Sequence, residues 1–356
     1  MSTLKVNTIR HTGASSDAVT LATDGTCTAK ITNNLSNRNL IINGDMRVAQ
    51  RGTSTTTGTG NFGVYTLDRW KASAYATDQL NLTVTQETSS SAVGFNTYLK
   101  ASPNAAESGG AADEYAHLRY SVEAQDCQQL KWGTSSAESI TLSFWVKSNA
   151  TGVGCINFLK HDATQQQITR TYTINAADTW EKKTVTIPGN TGSGIDNNNG
   201  VGIHIYWFLD AGSSYKSSDS TSWQNFADAG YAYGQALNLV DSTSDYLALT
   251  GVQLEVGDVA TDFEHRSYGD ELRRCQRYYW ENTQDYYPLQ WDSAHRVLQI
   301  DHPVWMRATP TETLTAGFGT FVFQNESNKR IAYYTASAYN DGDEDNLTKV
   351  VFSAEL

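Results

Sequence analysis

Five aromatic residues fall in one short stretch of small and polar neighbours: Tyr215, Trp223, Phe226, Tyr231 and Tyr233. The stretch is rich in Ser, Asp, Gly and Ala and does not alternate as a strand would. Flat rings flanked by hydrogen-bonding side chains suit the face of a sugar, the ring supplying apolar area and its neighbours reading hydroxyls. These five are therefore the candidate glycan-stacking residues. The competing reading packs the same rings within the loop or against a sister subunit.

The remaining chemistry-bearing motifs give less. A glycosidase needs two carboxyls facing each other across a cleft. Asp113 with Glu114, and Asp262 with Glu264, are close in sequence only. Gly58-Thr59-Gly60-Asn61-Phe62-Gly63 matches the form of a dinucleotide loop but lies in a Thr-rich segment without the strand–helix unit that gives the pattern meaning. Asp341-Gly342-Asp343-Glu344-Asp345 and Asp196-Asn197-Asn198-Asn199-Gly200 offer hard oxygens for calcium, yet neither completes an EF-hand loop, and both read as solvated turns. No serine-hydrolase elbow, zinc-protease or Walker sequence occurs. No catalytic residues, metal ligands or cofactor are assigned, and the expectation is a protein that is not an enzyme.

Composition points to sheets. Charged residues make up only 18% of the 356 residues while aromatics reach 11%, too many rings for a disordered chain. The polar, β-branched and aromatic balance suits half-buried pleated surfaces. A net charge of −12 argues against a nucleic-acid groove, which needs Lys and Arg. The cationic cluster of Arg273, Arg274 and Arg277 reads as a solvated or inter-subunit helix face. No run approaches the ~20 apolar residues of a membrane helix, and the first ten residues lack the apolar core of a secretory signal. Cys27, Cys127, Cys155 and Cys275 are far apart with no CxxC pair, so reduced thiols are expected.

Period-2 alternation places the strands. Leu80, Leu82 and Val84; Ile140, Leu142, Phe144 and Val146; Ile203, Ile205, Trp207 and Leu209; and Val252, Leu254 and Val256 each mark one core-facing edge of a strand. Breaker-rich loops at 102–112, 189–200 and 211–222 separate them. The expected architecture is all-β: a jelly-roll β-sandwich over 37–266, preceded by an N-terminal attachment segment over 1–36. The latter has too few apolar residues for a core of its own and is ordered by sister chains or a docking partner, or frays. A connector helix is expected over 267–284, with Ser267 as its cap and Leu272, Cys275 and Tyr279 on one face. A small C-terminal β-domain over 285–356 completes the chain.

An ordered series of motifs carries a resemblance. It runs Asn39-Leu40-Ile41-Ile42-Asn43-Gly44-Asp45-Met46-Arg47-Val48-Ala49-Gln50-Arg51-Gly52, then Leu67-Asp68-Arg69-Trp70, then Leu142-Ser143-Phe144-Trp145-Val146-Lys147. Gly251-Val252-Gln253-Leu254-Glu255-Val256-Gly257, Thr261-Asp262-Phe263-Glu264-His265-Arg266 and Arg274-Cys275-Gln276-Arg277-Tyr278-Tyr279 follow in that order. The series resembles a family of virion and tail-fibre proteins of marine and cyanobacterial tailed phages, whose central module is similar to carbohydrate-binding jelly rolls. Leu4-Lys5-Val6-Asn7-Thr8-Ile9 is similar to the N-terminal attachment segments of that family. The Asp68-Arg69-Trp70 cluster reads as a buried aromatic beside a charged pair, and Phe263-Glu264-His265-Arg266 as charges tying the first and last strands together.

The resemblance implies a structural subunit of a phage particle, a fibre, spike or other appendage, assembled in the host cytoplasm and resident in the virion. It implies homotrimers, attachment to other virion proteins through the N-terminal segment, and contact with host-surface polysaccharide, with no nucleic acid bound and no membrane insertion. Sugar-binding jelly rolls often hold a structural calcium, which keeps that ion open as an alternative near Asp196. A purely architectural or decoration protein without ligand, and a glycan depolymerase, remain the other readings.

Overall fold

The computed structural model describes residues 5–23, 25, 27–29, 37–58, 63–75, 80–88, 93–107, 111–282, 289–290, 296–316, 321–324, 330–335 and 347–356. Most of the Gly58–63 motif and the acidic run 341–345 lie outside the described residues. Strands β1 (Thr8–Ile9), β2 (Val19–Leu21) and β3 (Cys27–Ala29) pair antiparallel in that order. Val6, Ile9 and Leu21 around them are exposed.

The sandwich follows, built from β4 (Ser54–Thr56), β5 (Val64–Tyr65), β6 (Trp70–Tyr75), β7 (Leu82–Thr88), β8 (Thr97–Pro103) and β9 (Tyr115–Glu123). It continues through β10 (Ile140–Ser148), β11 (Gly152–Lys160), β12 (Gln166–Ile174), β13 (Glu181–Ile187), β14 (Val201–Ala211), β15 (Gln224–Asn225) and β16 (Leu247–Val256). One sheet has the order β13-β10-β16-β8-β7-β4, the other β15-β12-β11-β14-β9-β6-β5. Sequence neighbours repeatedly change sheet, which is the jelly-roll way of burying a core between two antiparallel layers.

The alternating residues face that core. Leu82, Val84, Leu142, Phe144, Val146 and Leu254 meet Trp70, Leu118, Ile205 and Trp207 from the opposite sheet. The Trp70 and Trp207 rings lie 5.4 Å apart, and Phe144 meets Trp207 edge-on at 6.0 Å. In β16 the inward phase steps from Leu249 to Val252, because the β10 register shifts between Ser143 and Trp145. Gly251 takes up the extra residue with φ of +58°, and a Cβ there would sit 2.5 Å from the Phe95 ring.

The Asn43-Gly44-Asp45 turn is held just as tightly. Asn43 donates to the carbonyls of Val48 and Asp68, accepts from the Val48 amide, and its own carbonyl receives the Trp70 indole at 3.0 Å. Gly44 admits no side chain, since a Cβ would lie 2.1 Å from the Val252 carbonyl oxygen.

After the sandwich comes α1 (Tyr268–Gln276), capped by Ser267, whose hydroxyl accepts from the Asp270 amide at 3.2 Å. The helix is shorter than expected over 267–284. Residues Tyr279–Asn282 instead form β17, which pairs with β23 (Leu347–Ser353), and β23 pairs in turn with β20 (Thr311–Ala316). Trp280 stacks on Phe352 at 5.3 Å and 3°, so tertiary packing overrides helical continuation. Tyr278, not Tyr279, joins Cys275 and Leu272 against Ile42 and Val48. A second small sheet has the order β18 (Leu289–Gln290), β19 (Arg296–Asp301), β22 (Arg330–Thr335) and β21 (Phe321–Gln324).

The three arginines of the helix segment diverge. Arg273 is exposed, Arg274 donates to Asn37, and Arg277 pairs with Glu123 at 2.7 Å. The charged run after β16 ties the chain to residues before β4: Glu264 accepts from the amides of Asn37 and Asn39, and Arg266 donates to the carbonyls of Asn39 and Ile41. Asp68 and Arg69 each pair elsewhere. Asp68 accepts from Gln50 and sits 3.6 Å from Arg51, whereas Arg69 meets Glu355 at 2.6 Å. The Arg69 guanidinium also lies 3.5 Å from the centre of the Tyr278 ring and donates to the Ser121 carbonyl. Arg69 has a φ of 73°, a left-handed conformation that costs a non-glycine residue about 1–2 kcal/mol.

Burial alone would raise the Glu355 carboxyl pKa, but Arg69 and Arg51 hold it below the ordinary value. A depressed carboxylate contributes stability that is present above its unfolded pKa and disappears as pH falls through the folded one. Arg69→Met should therefore lower stability in chemical denaturation at neutral pH, by less than the about 3–5 kcal/mol of a wholly stranded buried charge because Arg51 still pairs with Glu355 at 2.7 Å. Glu355→Gln should flatten the acid limb of the stability curve; an unchanged limb would show the pair is not formed.

Candidate functional site

Strand register assembles the site on the outer face of the seven-stranded sheet. Lys71, Ser73 and Tyr75 of β6 stand opposite Arg119, His117 and Tyr115 of β9, and Arg119 stands opposite Tyr206 of β14. Because successive side chains alternate across a strand, these residues share the face turned away from the core. With Tyr231 they line a cavity of about 240 Å³.

The segment joining β14 to β16 covers the rest of this face. It docks through outward-pointing amides: Asn157 donates to the Tyr231 carbonyl at 2.9 Å, Gln167 to the Ala227 carbonyl at 2.8 Å, and Gln235 accepts from the Cys155 amide. Beneath it Cys155, Leu159, Phe208 and Ala232 form a second small core. The cover reaches β9 through Tyr215 and Tyr231, which pack on Tyr115, and the cavity lies at its edge.

The rings are ordered. Tyr75 stacks on Tyr115 at 5.5 Å and 20°, and Tyr115 on His117 at 5.1 Å and 12°, giving three nearly parallel planes. Tyr231 closes the set edge-on to Tyr115 and lies 5.1 Å from Tyr206. Tyr75 is the open member, 39% exposed, while Tyr231 is only 7% exposed. The Tyr231 hydroxyl lies 3.4 Å from Nε2 of His117.

Burial dominates the electrostatics. It drives the His117 imidazole down to about 3, with Arg119 adding to the effect, and it raises Tyr115 to about 12. Lys71 is lowered to about 8 by burial and by Arg119 opposite it. His117 is thus a neutral, flat wall at working pH, not a proton carrier. No carboxylate lines the cavity among the described residues.

The five loop aromatics meet different fates. Tyr231 lines the cavity, Tyr215 packs edge-on to Tyr115 at 5.0 Å, and Phe226 packs against Tyr231 at 5.7 Å. Trp223 leaves this group: it meets Trp132 at 5.2 Å, donates to the Pro188 carbonyl and packs on the main core. Tyr233 is half-buried. Sequence reasoning missed Lys71, Tyr75, Tyr115, His117, Arg119 and Tyr206, because they are the outward positions of strands assigned to the sandwich body. The available signal was aromatic residues on both phases of 203–209.

The other motifs are structural. The Glu114 carboxylate accepts from the Ala111 amide, and Glu264 is held by Arg266 and two amides. Asn198 accepts from the Gly200 amide and Asn199 donates to the Arg307 carbonyl. Among the described residues no group of three or more His, Cys, Asp or Glu could hold a metal, and no helix is long and apolar enough to cross a membrane. All four cysteines are free, with Cys27 alone exposed.

No protein-family model matches the sequence, and no curated protein matches it in sequence. Solved structures give fold-level likenesses. The chain is similar to the enzymatically active domain of tailspike protein 4 of bacteriophage CBA120, with 14% identity and a TM-score of 0.33. That match takes in 62% of this chain and only 21% of the tailspike chain. It is similar to the family 11 carbohydrate-binding module of a cellulosomal cellulase of Clostridium thermocellum, with 14% identity, 60% and 98% coverage and a TM-score of 0.28. A third likeness is to an adhesin domain of Lys-gingipain from Porphyromonas gingivalis, with 12% identity, 59% and 100% coverage and a TM-score of 0.25. The chain is a mostly-β protein with a jelly-roll sandwich. These likenesses concern architecture and transfer no site.

His117 sets a test of the site's dryness. Between about 6.5 and about 3 the unfolded imidazole takes up a proton that the folded one refuses, so stability should rise with pH across that window. His117→Gln should reduce that slope in urea denaturation, and the His117 ring signals in NMR should stay at their neutral positions down to about pH 4. A midpoint near 6.5 would mean the ring is solvated.

Proposed function

We propose that the protein is a structural subunit of a phage particle whose sandwich attaches to host-surface glycan through the outer-face cavity. The observation that carries the glycan half is the stack of Tyr75, Tyr115 and His117, walled by Tyr206 and Tyr231. One open tyrosine face backed by rigid rings, beside cationic and hydroxyl donors, is suited to an apolar sugar face and its hydroxyls. At about 240 Å³ the cavity is below the ~300–1,000 Å³ of sites for drug-sized ligands, which fits a single sugar residue of a longer chain.

The particle half rests on the ordered motif series, from Asn43-Gly44-Asp45 to Arg274-Cys275-Gln276. In this reading the subunit is a homotrimer of the virion, docked by its N-terminal segment, and weak contacts repeated over three copies sum to firm adhesion. Tyr231 and Tyr215 are the loop aromatics that serve the site, with Phe226 buttressing Tyr231; Trp223 and Tyr233 are peripheral to it. The depolymerase alternative is disfavoured by the lack of a carboxylate pair in the cavity lining among the described residues.

Purified protein should bind host-type polysaccharide on a glycan array, and Tyr75→Ala or Tyr115→Ala should weaken that binding about tenfold or more with the circular dichroism unchanged. Binding that survives both substitutions would move the site elsewhere. Mass spectrometry of purified particles should find the chain; its absence would overturn the virion role.

A further inference from the structure

Two cations face each other on the wall of this cavity. Lys71 and Arg119 are direct partners in the β6–β9 ladder, and both side chains line the same space. Like charges placed directly opposite destabilise a sheet, and natural strands normally set an opposite charge or a neutral residue there. The only carboxylate acting on Lys71 among the described residues is Glu355, and that group is already held by Arg51 and Arg69. Arg119 donates to a terminal oxygen of Leu356 at 3.2 Å, while its Nε is buried with no partner and faces no other anion among the described residues. Lys71 has a ring beneath it, that of Tyr65 at 5.6 Å, but no carboxylate of its own, and an anion entering the cavity would supply one to both cations.

We propose that the ligand is an acidic saccharide, its carboxylate or sulfate seated between Lys71 and Arg119 and its ring laid on Tyr75 and Tyr115. This rests on the glycan-binding reading above and adds its chemical class. The ring stack calls for a sugar face, and the paired cations call for an anion within reach of it. A polynucleotide is disfavoured by the net charge of −12.

The deciding measurement is calorimetric titration of the full chain with oligogalacturonate, a sulfated galactan oligosaccharide, a neutral galactan oligosaccharide and hexaglutamate. At least one acidic sugar should bind about tenfold or more tightly than the neutral one. Lys71→Met should abolish that preference and Lys71→Arg should retain it. Removing Lys71 also relieves the cross-strand repulsion, so Lys71→Met should melt no lower than the parent. If Lys71→Met fails to fold, salt decides: affinity for the acidic sugar should fall several-fold as NaCl rises from about 0.05 to 0.5 M.

The same affinity should drop as pH rises through about 8, where Lys71 loses its proton. Arg119 faces Lys71 from the neighbouring strand. His117 beside it stays neutral, with Tyr115 held near 12 and Tyr65 and Tyr206 raised by burial. Glu355 beyond them keeps its charge. Equal binding of acidic and neutral sugars would overturn the acidic assignment and leave the glycan reading standing. Binding of no sugar would remove both, and hexaglutamate binding as tightly as the acidic sugars would reassign the cavity to an acidic peptide.

Discussion

Strand β14 is apolar on both of its faces, and much of the molecule is arranged around that fact. Ile203, Ile205, Trp207 and Leu209 point into the sandwich, while Tyr206 and Phe208 point the other way and are equally buried. A sheet with one wet face would leave those rings in water. The chain therefore supplies a second cover from the segment between β14 and β16, pinned by amide side chains on β11 and β12. Where the cover ends, a dry tyrosine-lined recess begins. The same desolvation keeps His117 neutral and Tyr231 protonated.

Charge is used differently at the seams. Arg277 with Glu123 and Arg69 with Glu355 join segments remote in sequence, while Arg266 with Glu264 and Glu271 braces the local run before the helix, and all these carboxylates are largely buried. Such pairs add little net stability over well-packed apolar contacts, but they penalise any arrangement that leaves one member alone. They specify how the helix and the C-terminal strands sit on the sandwich. Lys71 and Arg119 instead set two cations side by side on the wall of the recess.

The sandwich was legible because its strands obey simple alternation, and the phases at 140–146 and 203–209 are those of the core. The helix start was legible from Ser267 and Asp270, a local capping interaction. Its end was not, because Trp280 is drawn into a strand by Phe352, more than seventy positions away in the sequence. The loop aromatics announced themselves by composition, yet only register shows that Tyr75 reaches Tyr115 and that Lys71 meets Arg119. Trp223 misled for a related reason: a ring in a polar loop is free to turn inward, and Trp132 is there to receive it.

The pairing of Arg69 with Glu355 spans a sequence separation of 286. During synthesis the left-handed backbone at Arg69 and its guanidinium exist long before their counter-charge has left the ribosome. The turn that carries Arg69 must therefore wait, partly organised, for a residue 286 positions later, and contacts so remote in sequence slow folding. A chain terminated early would retain an unneutralised arginine in its interior and be open to proteolysis. Electrostatics thereby mark a product truncated before Glu355 as defective.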